Sequence, residues 1–179
     1  SLRRNRTAWT RWQAREEKGL KTKRLTELAM LTAVALIIFV IELQIPNPFP
    51  IPGVKLGLAN IITVYAVYHY RPGEVMMVVF VRVFLGALFG GVMSTLIYSL
   101  AGSIFCLAGM IPLSRVIEEK YIWLSSILGA VLHNIGQITA AVLVTLTLGV
   151  FAYLPFLLVS GCLAGAFTGI CAQLILKRF

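Results

Sequence analysis

The sequence predicts an all-α integral membrane protein with six transmembrane helices, and three observations lead to this fold class. The first is composition, because 59% of the 179 residues are hydrophobic and only 13% are charged. A typical soluble domain carries about twice that charged fraction. The second is a mean hydropathy of +0.88. The third is that the hydrophobic residues fall into segments of membrane-spanning length, separated by short polar or prolyl links.

Six hydrophobic segments are predicted to cross the membrane. We place them at 26–44, 55–70, 74–90, 92–111, 122–148 and 153–176. Most approach the roughly 20 residues that span the hydrocarbon core, although the second and third are short. The links between most of them are also short, so we expect antiparallel, up-and-down packing. The first link is a loop with four prolines (Pro46, Pro48, Pro50 and Pro52), which makes it rigid and unable to form helix or central strand.

A basic tail, residues 1–24, precedes the membrane domain, residues 25–179. The tail holds nine of the sixteen lysines and arginines, and Trp9 and Trp12 lie three residues apart. This combination predicts an arm that lies on the membrane surface and binds anionic lipid. The net charge of +9 also suits nucleic acid, but we expect no nucleic-acid partner for a tail fused to membrane spans.

The distribution of cations predicts the orientation. If the amino terminus is cytoplasmic, the positive charges of the tail, of the second and fourth links and of the carboxy terminus all fall on the inside. These further cations are Arg71, Arg115, Lys120, Lys177 and Arg178. Lys55 alone falls outside, and Arg82 lies within a span. The positive-inside rule therefore predicts cytoplasmic amino and carboxy termini, with the proline loop outside.

Small residues at four-residue spacing predict where helices approach closely. The last segment contains Gly161, Gly165 and Gly169, for which we favour packing within the chain. The first segment contains Ala29 and Ala33 near its cytoplasmic end. For this pair, internal packing and contact with a cytoplasmic-side partner are equally open.

Polar side chains inside membrane spans are costly and are usually functional. The candidate substrate-binding residues are these and the cation of the first loop: Glu42, Lys55, Asn60, Arg82, His133, Asn134 and Gln137. From the 1.5 Å helical rise, Arg82 and His133 lie near the middle of the membrane, about 12 and 16 Å from the starts of their segments. We expect the buried residues to line a pocket that opens outward beneath the proline loop and takes an anionic or polar small molecule. The alternative is structural: Arg82 pairs with Glu42 or a backbone carbonyl, and the amides join helices.

The sequence predicts no catalytic residues, no metal site and no cofactor. It contains no aspartate, and its one acidic pair in the membrane domain, Glu118-Glu119, adjoins Lys120 in a cytoplasmic link. Enzymes that handle diphosphates through Mg²⁺ need clustered carboxylates. The three cysteines lie in apolar runs without ligand spacing, so we interpret them as small buried residues.

The run PGVKLGLAN (52–60), which follows the proline-rich loop, resembles the Gx transporter family, as do the six short spans and the Ala29/Ala33 pair. That family is also labelled heptaprenyl diphosphate synthase component I, and it is similar to the substrate-binding S components of energy-coupling factor (ECF) transporters. The resemblance covers about residues 26–179.

The resemblance implies a bacterial plasma-membrane protein that captures a vitamin-like or precursor molecule from outside. Release would require an ECF coupling transmembrane protein and two ATPase subunits, and Ala29 and Ala33 would contact the coupling protein. Two alternatives remain: a membrane subunit associated with heptaprenyl diphosphate synthase and isoprenoid-quinone metabolism, or an accessory protein of a flavin or quinone electron-transfer system. The missing aspartates fit the enzyme label poorly.

Overall fold

The structure is a computed structural model that describes residues 21–44, 58–90 and 94–178. The proline loop, Lys55 and most of the basic tail lie outside these residues. The described chain forms six α-helices and two short 3₁₀ turns, Glu119–Tyr121 and Leu148–Tyr153. The helices are α1 (Lys21–Gln44), α2 (Asn60–His69), α3 (Pro72–Gly90), α4 (Ser94–Val116), α5 (Ile122–Thr145) and α6 (Leu154–Arg178).

Five of these helices, all but α2, are long and apolar enough to cross a membrane. Helix α2 has 10 residues and is therefore about 15 Å long, half of the hydrocarbon thickness. The predicted membrane class is confirmed at this level. The predicted second span, 55–70, includes residues 55–57, which lie outside the described residues.

Helices α4, α5 and α6 form an antiparallel group held by close glycine contacts. A methyl group added at Gly136 of α5 would lie 2.8 Å from the Ala101 carbonyl of α4. One added at Gly165 of α6 would lie 2.8 Å from the Ile127 Cα of α5. Gly161 and Gly169 meet α5 in the same way. The prediction that these glycines pack within the chain is confirmed, and their lack of a side chain is what lets the backbones touch.

Helices α1 and α3 run parallel and form a second group. Near one end, the Phe39 ring of α1 packs on Gly86 of α3. At the other end, Arg24 makes a bidentate ion pair with Glu74, with N–O distances of 2.5 and 2.6 Å. Glu74 also accepts the Arg71 backbone N–H at 2.9 Å, which caps the start of α3. Arg24, assigned by sequence to the basic tail, therefore belongs to the folded domain.

Within the described part of the chain, most of the positive charge lies at one end of the bundle. Its core brings together Val67, Val75, Met110, Ile122 and Ala172 from five helices. The residues around this core include Arg24, Arg71, Arg115, Lys120 and Lys177. We call this the basic end. The opposite end contains Glu42 and the end of α3, whereas the start of α2 lies at the level of Arg82 in the middle of α3.

Helices α4 and α5 end at other residues than the sequence predicted. Helix α4 continues through Pro112 to Val116, where the sequence predicted a link. Pro112 removes one backbone donor, yet the helix resumes because the Ile117 N–H bonds the Leu113 carbonyl at 2.8 Å. Helix α5 ends at Thr145 rather than 148, and the residues that follow form the second 3₁₀ turn.

Candidate functional site

The centre of the candidate site is Arg82, about three turns into α3. Its side chain is 8% exposed, because α3 turns this face toward the other helices. Both terminal nitrogens, Nη1 and Nη2, point at the Asn60 Oδ1 of α2, each at 3.4 Å. These are long hydrogen bonds to a neutral group. The structure thus brings together two of the residues that the sequence singled out.

Two further candidates lie within the electrostatic reach of Arg82. Glu42, near the end of α1, is 6% exposed and interacts with the guanidinium through its charge. His133 of α5 also interacts electrostatically with Arg82. Among the described side chains, the guanidinium hydrogen-bonds Asn60, whereas Glu42 acts on it through its charge.

His133 and Gln137 lie one turn apart on α5 and both contact α4 at Gly102. The His133 ring interacts with the Gly102 carbonyl. A methyl group added at Gly102 would lie 2.8 Å from the Gln137 Cγ and 2.9 Å from the His133 Cε1. Gly102 therefore leaves the room that both side chains occupy.

Asn134 points to a different helix. Its Nδ2 donates to the Leu157 carbonyl of α6 at 2.6 Å, and it packs against Gly161. The shared face predicted for Asn134 and Gln137 is therefore divided: Gln137 meets α4, whereas Asn134 joins α5 to α6. Lys55, the remaining candidate, lies outside the described residues.

A small cavity next to Asn60 was not predicted from the sequence. It lies between α2, α4, α5 and α6 and has a volume of about 20 Å³, enough for one water-sized group. Thr63, Cys106, Ser126 and Thr168 contribute to its lining. Hydropathy did not single out these residues, because hydroxyl and thiol groups are only weakly polar. The feature of the sequence that could have indicated the cavity is the position of Thr63. It lies three residues after Asn60 and therefore on the same helical face.

The second polar cluster, at the basic end, surrounds the Arg24–Glu74 pair. The Arg24 guanidinium lies 5.4 Å from the centroid of the Tyr70 ring, a cation–π distance. Burial raises the pKa of Tyr70 to about 12, so its hydroxyl stays neutral at physiological pH. His69 stacks on Tyr65 with 5.3 Å between the ring centroids. This cluster ties α1, α2 and α3 together and is separate from Arg82.

The described residues contain no group of three His, Cys, Asp or Glu side chains placed to hold a metal ion. Ala29 and Ala33, the candidate docking residues, are exposed on α1. The surface beside them is apolar as well, since Leu25, Met30 and Ile37 are 60%, 66% and 59% exposed. Among the residues that the structure describes, none covers this side of α1.

A family model described as heptaprenyl diphosphate synthase component I matches residues 31–175. The chain belongs to this family. The match runs from α1 to α6 and includes every candidate substrate-binding residue, whereas the tail and Ala29 precede it. No curated protein and no solved structure matches the chain. The family label that the PGVKLGLAN run suggested is thereby confirmed.

Proposed function

We propose that this member of the heptaprenyl diphosphate synthase component I family captures a small anionic or amphipathic molecule from outside the cell, as the substrate-binding S component of an ECF importer. The observation that carries the proposal is the environment of Arg82. A fully charged guanidinium is 8% exposed, and its hydrogen bonds go to one neutral amide oxygen.

A buried charge is costly unless it is paired and hydrogen-bonded, and the effective penalty is several kcal/mol per ion. Arginine has five N–H donors in a planar fork that matches a carboxylate or phosphate. Asn60 uses two of these donors at a long distance. An anionic ligand would satisfy the remaining donors and offset the cost of burying the charge. This is a property of a binding site more than of a purely structural arginine.

The direction of capture follows from the charges. With the basic end in the cytoplasm, Glu42 lies on the outer side, whereas Asn60 and Arg82 lie about halfway along the bundle. A ligand then reaches Arg82 from outside. The bacterial plasma membrane is the matching location, and both termini are cytoplasmic in this orientation.

The exposed face of α1 supports an assembly with other membrane proteins. Ala29 and Ala33 present small side chains on which a second helix can pack closely. We propose that this face meets the ECF coupling protein, which would connect the chain to the ATPase subunits and allow release of the ligand inside.

The family's printed description supports a second candidate function: the chain is a membrane partner of a prenyl diphosphate synthase. A diphosphate is also an anion, so Arg82 would suit it. In this case the catalytic carboxylates would belong to the partner, since the sequence has no aspartate. We favour the substrate-binding role because the hydrogen-bond donors of Arg82 are buried among the helices. They do not lie on an exposed surface where a synthase could dock.

A deletion strain separates the two functions. We expect deletion to reduce uptake of the captured molecule and to leave the length and amount of prenyl chains unchanged. Complementation should succeed with the wild-type chain and with Arg115→Gln, which alters an exposed cation at the basic end, and should fail with Arg82→Gln. Normal uptake with shortened or missing prenyl chains would refute the importer proposal and support the synthase partner.

A further inference from the structure

The Asn60 side chain has a defined orientation because of Arg82. Arginine donates hydrogen bonds and cannot accept them. Since both Nη atoms lie 3.4 Å from the Asn60 Oδ1, the amide oxygen faces the guanidinium and the amide nitrogen faces elsewhere. The two N–H groups of Asn60 Nδ2 are therefore available as donors on the other side of the side chain. Arg82 and Asn60 together therefore present a continuous set of N–H donors.

The small cavity lies beside Asn60. Asn60 and Thr63 contribute the α2 wall, and both are on one helical face. Across the cavity, the hydroxyls of Ser126 and Thr168 are 3.0 Å apart. Thr168 also donates to the Gly165 carbonyl at 3.2 Å, so Ser126 donates to Thr168. Both hydroxyl protons therefore already have an acceptor. The groups left to serve an occupant are the Asn60 amide and the Thr63 hydroxyl.

The chemistry and size of the cavity restrict its occupant. The donors that the lining offers are the Asn60 amide and the Thr63 hydroxyl, which favour an acceptor. The guanidinium, which bonds Asn60 from the other side, favours a negative one. A volume of about 20 Å³ admits one oxygen-sized group, because a single water needs at least about 10–15 Å³. A whole carboxylate or phosphate does not fit, but one of its oxygen atoms does.

We propose that this cavity is an oxygen subsite for the ligand. One oxygen of a carboxylate or phosphate held by Arg82 enters it and accepts hydrogen bonds from the Asn60 amide and the Thr63 hydroxyl. The inference rests on the proposed function, in which Arg82 binds an anion. It adds Thr63 as a specificity-determining residue and defines the ligand as an oxyanion.

The test uses the purified full chain in lipid nanodiscs, with sodium phosphate and sodium acetate as probes. Sodium chloride at the same ionic strength is the reference. Each protein's melting temperature is measured against its own anion-free value, which gives an apparent affinity independent of the variant's basal stability. The variants are Thr63→Val, which keeps the shape and removes the hydroxyl, and Arg82→Gln. Thr139→Val is the matched control, because that half-buried hydroxyl bonds the Ile135 carbonyl of its own helix.

We expect phosphate or acetate to stabilise the wild type more than chloride does. Thr63→Val should bind the effective probe about tenfold more weakly, the loss typical of one hydrogen bond to a charged group. Thr139→Val should bind like the wild type, and Arg82→Gln should not respond.

Loss of the response in Arg82→Gln with unchanged affinity in Thr63→Val would overturn the subsite and leave the anion-binding function standing. An equal response to chloride, or no wild-type response to either oxyanion, would also overturn the subsite. In those cases the deletion strain still decides the proposed function by itself.

Discussion

Arg82 and Asn134 are both polar residues inside apolar helices, and the structure places them in different surroundings. Arg82 faces another polar side chain, Asn60, across α2 and α3. Asn134 bonds the backbone of α6. The sequence indicated both as candidates because hydropathy locates polar residues inside membrane-spanning segments, where they are costly. It does not reveal which neighbouring helix the group meets, since that depends on contacts between residues far apart in the chain.

At Asn134 we predict a structural effect. Asn134→Ala should lower the free energy of unfolding by about 1 kcal/mol, because it removes the bond to the Leu157 carbonyl. Ligand affinity should not change. Thermal unfolding and ligand binding, measured on one preparation, check both parts. Thr139→Val serves as the control for loss of a polar group from α5. Weaker binding with unchanged stability would place Asn134 in the ligand site instead.

At the scale of helices, the glycines determine how closely α4, α5 and α6 pack. Four-residue spacing made this contact predictable for α6, since such spacing keeps small residues on one face. The partner helix was not predictable, because spacing carries no information on the opposite surface. The same limit applies to Arg24, whose partner Glu74 is 50 residues away in the sequence.

The close contact between α5 and α6 leads to a prediction at Gly169. A methyl group there would lie 2.5 Å from the Trp123 Cα, and a backbone atom cannot rotate out of the way as a side chain can. Gly169→Ala should therefore lower stability by about 1–3 kcal/mol, the usual cost of overpacking. Gly73→Ala is the matched control, because its added methyl group would meet nothing within 4 Å. Equal melting temperatures for the two variants would show that α5 and α6 are not in close contact at Gly169.

At the scale of the whole molecule, the membrane class followed from composition and segment length. The bundle's division into an α1–α3 pair and an α4–α5–α6 group did not follow from them. Short links predict which helices alternate in direction. They leave open which helices touch, because hydrophobic faces in lipid gain little from burial against one another and small differences in packing decide the arrangement.

The exposed face of α1 carries a prediction for the assembly. Ala29→Leu combined with Ala33→Leu should abolish co-purification with the coupling protein, because the larger side chains keep a second helix away. The variant should still fold, since both alanines are exposed and a leucine facing lipid costs little. Val34→Leu, on the same exposed side of α1, controls for added bulk. Loss of folded protein from the membrane would show that the pair packs within the chain.

The central claim is that Arg82 holds an anion, and native mass spectrometry tests it most directly. The protein is extracted from its own membranes, and the mass of any bound molecule is recorded for the wild type, Arg82→Gln, Arg82→Lys and Arg115→Gln. We predict one acidic ligand on the wild type and on Arg115→Gln, partial occupancy on Arg82→Lys, which keeps the charge but not the planar fork, and none on Arg82→Gln. Folded Arg82→Gln that retains the same ligand at full occupancy would contradict the claim.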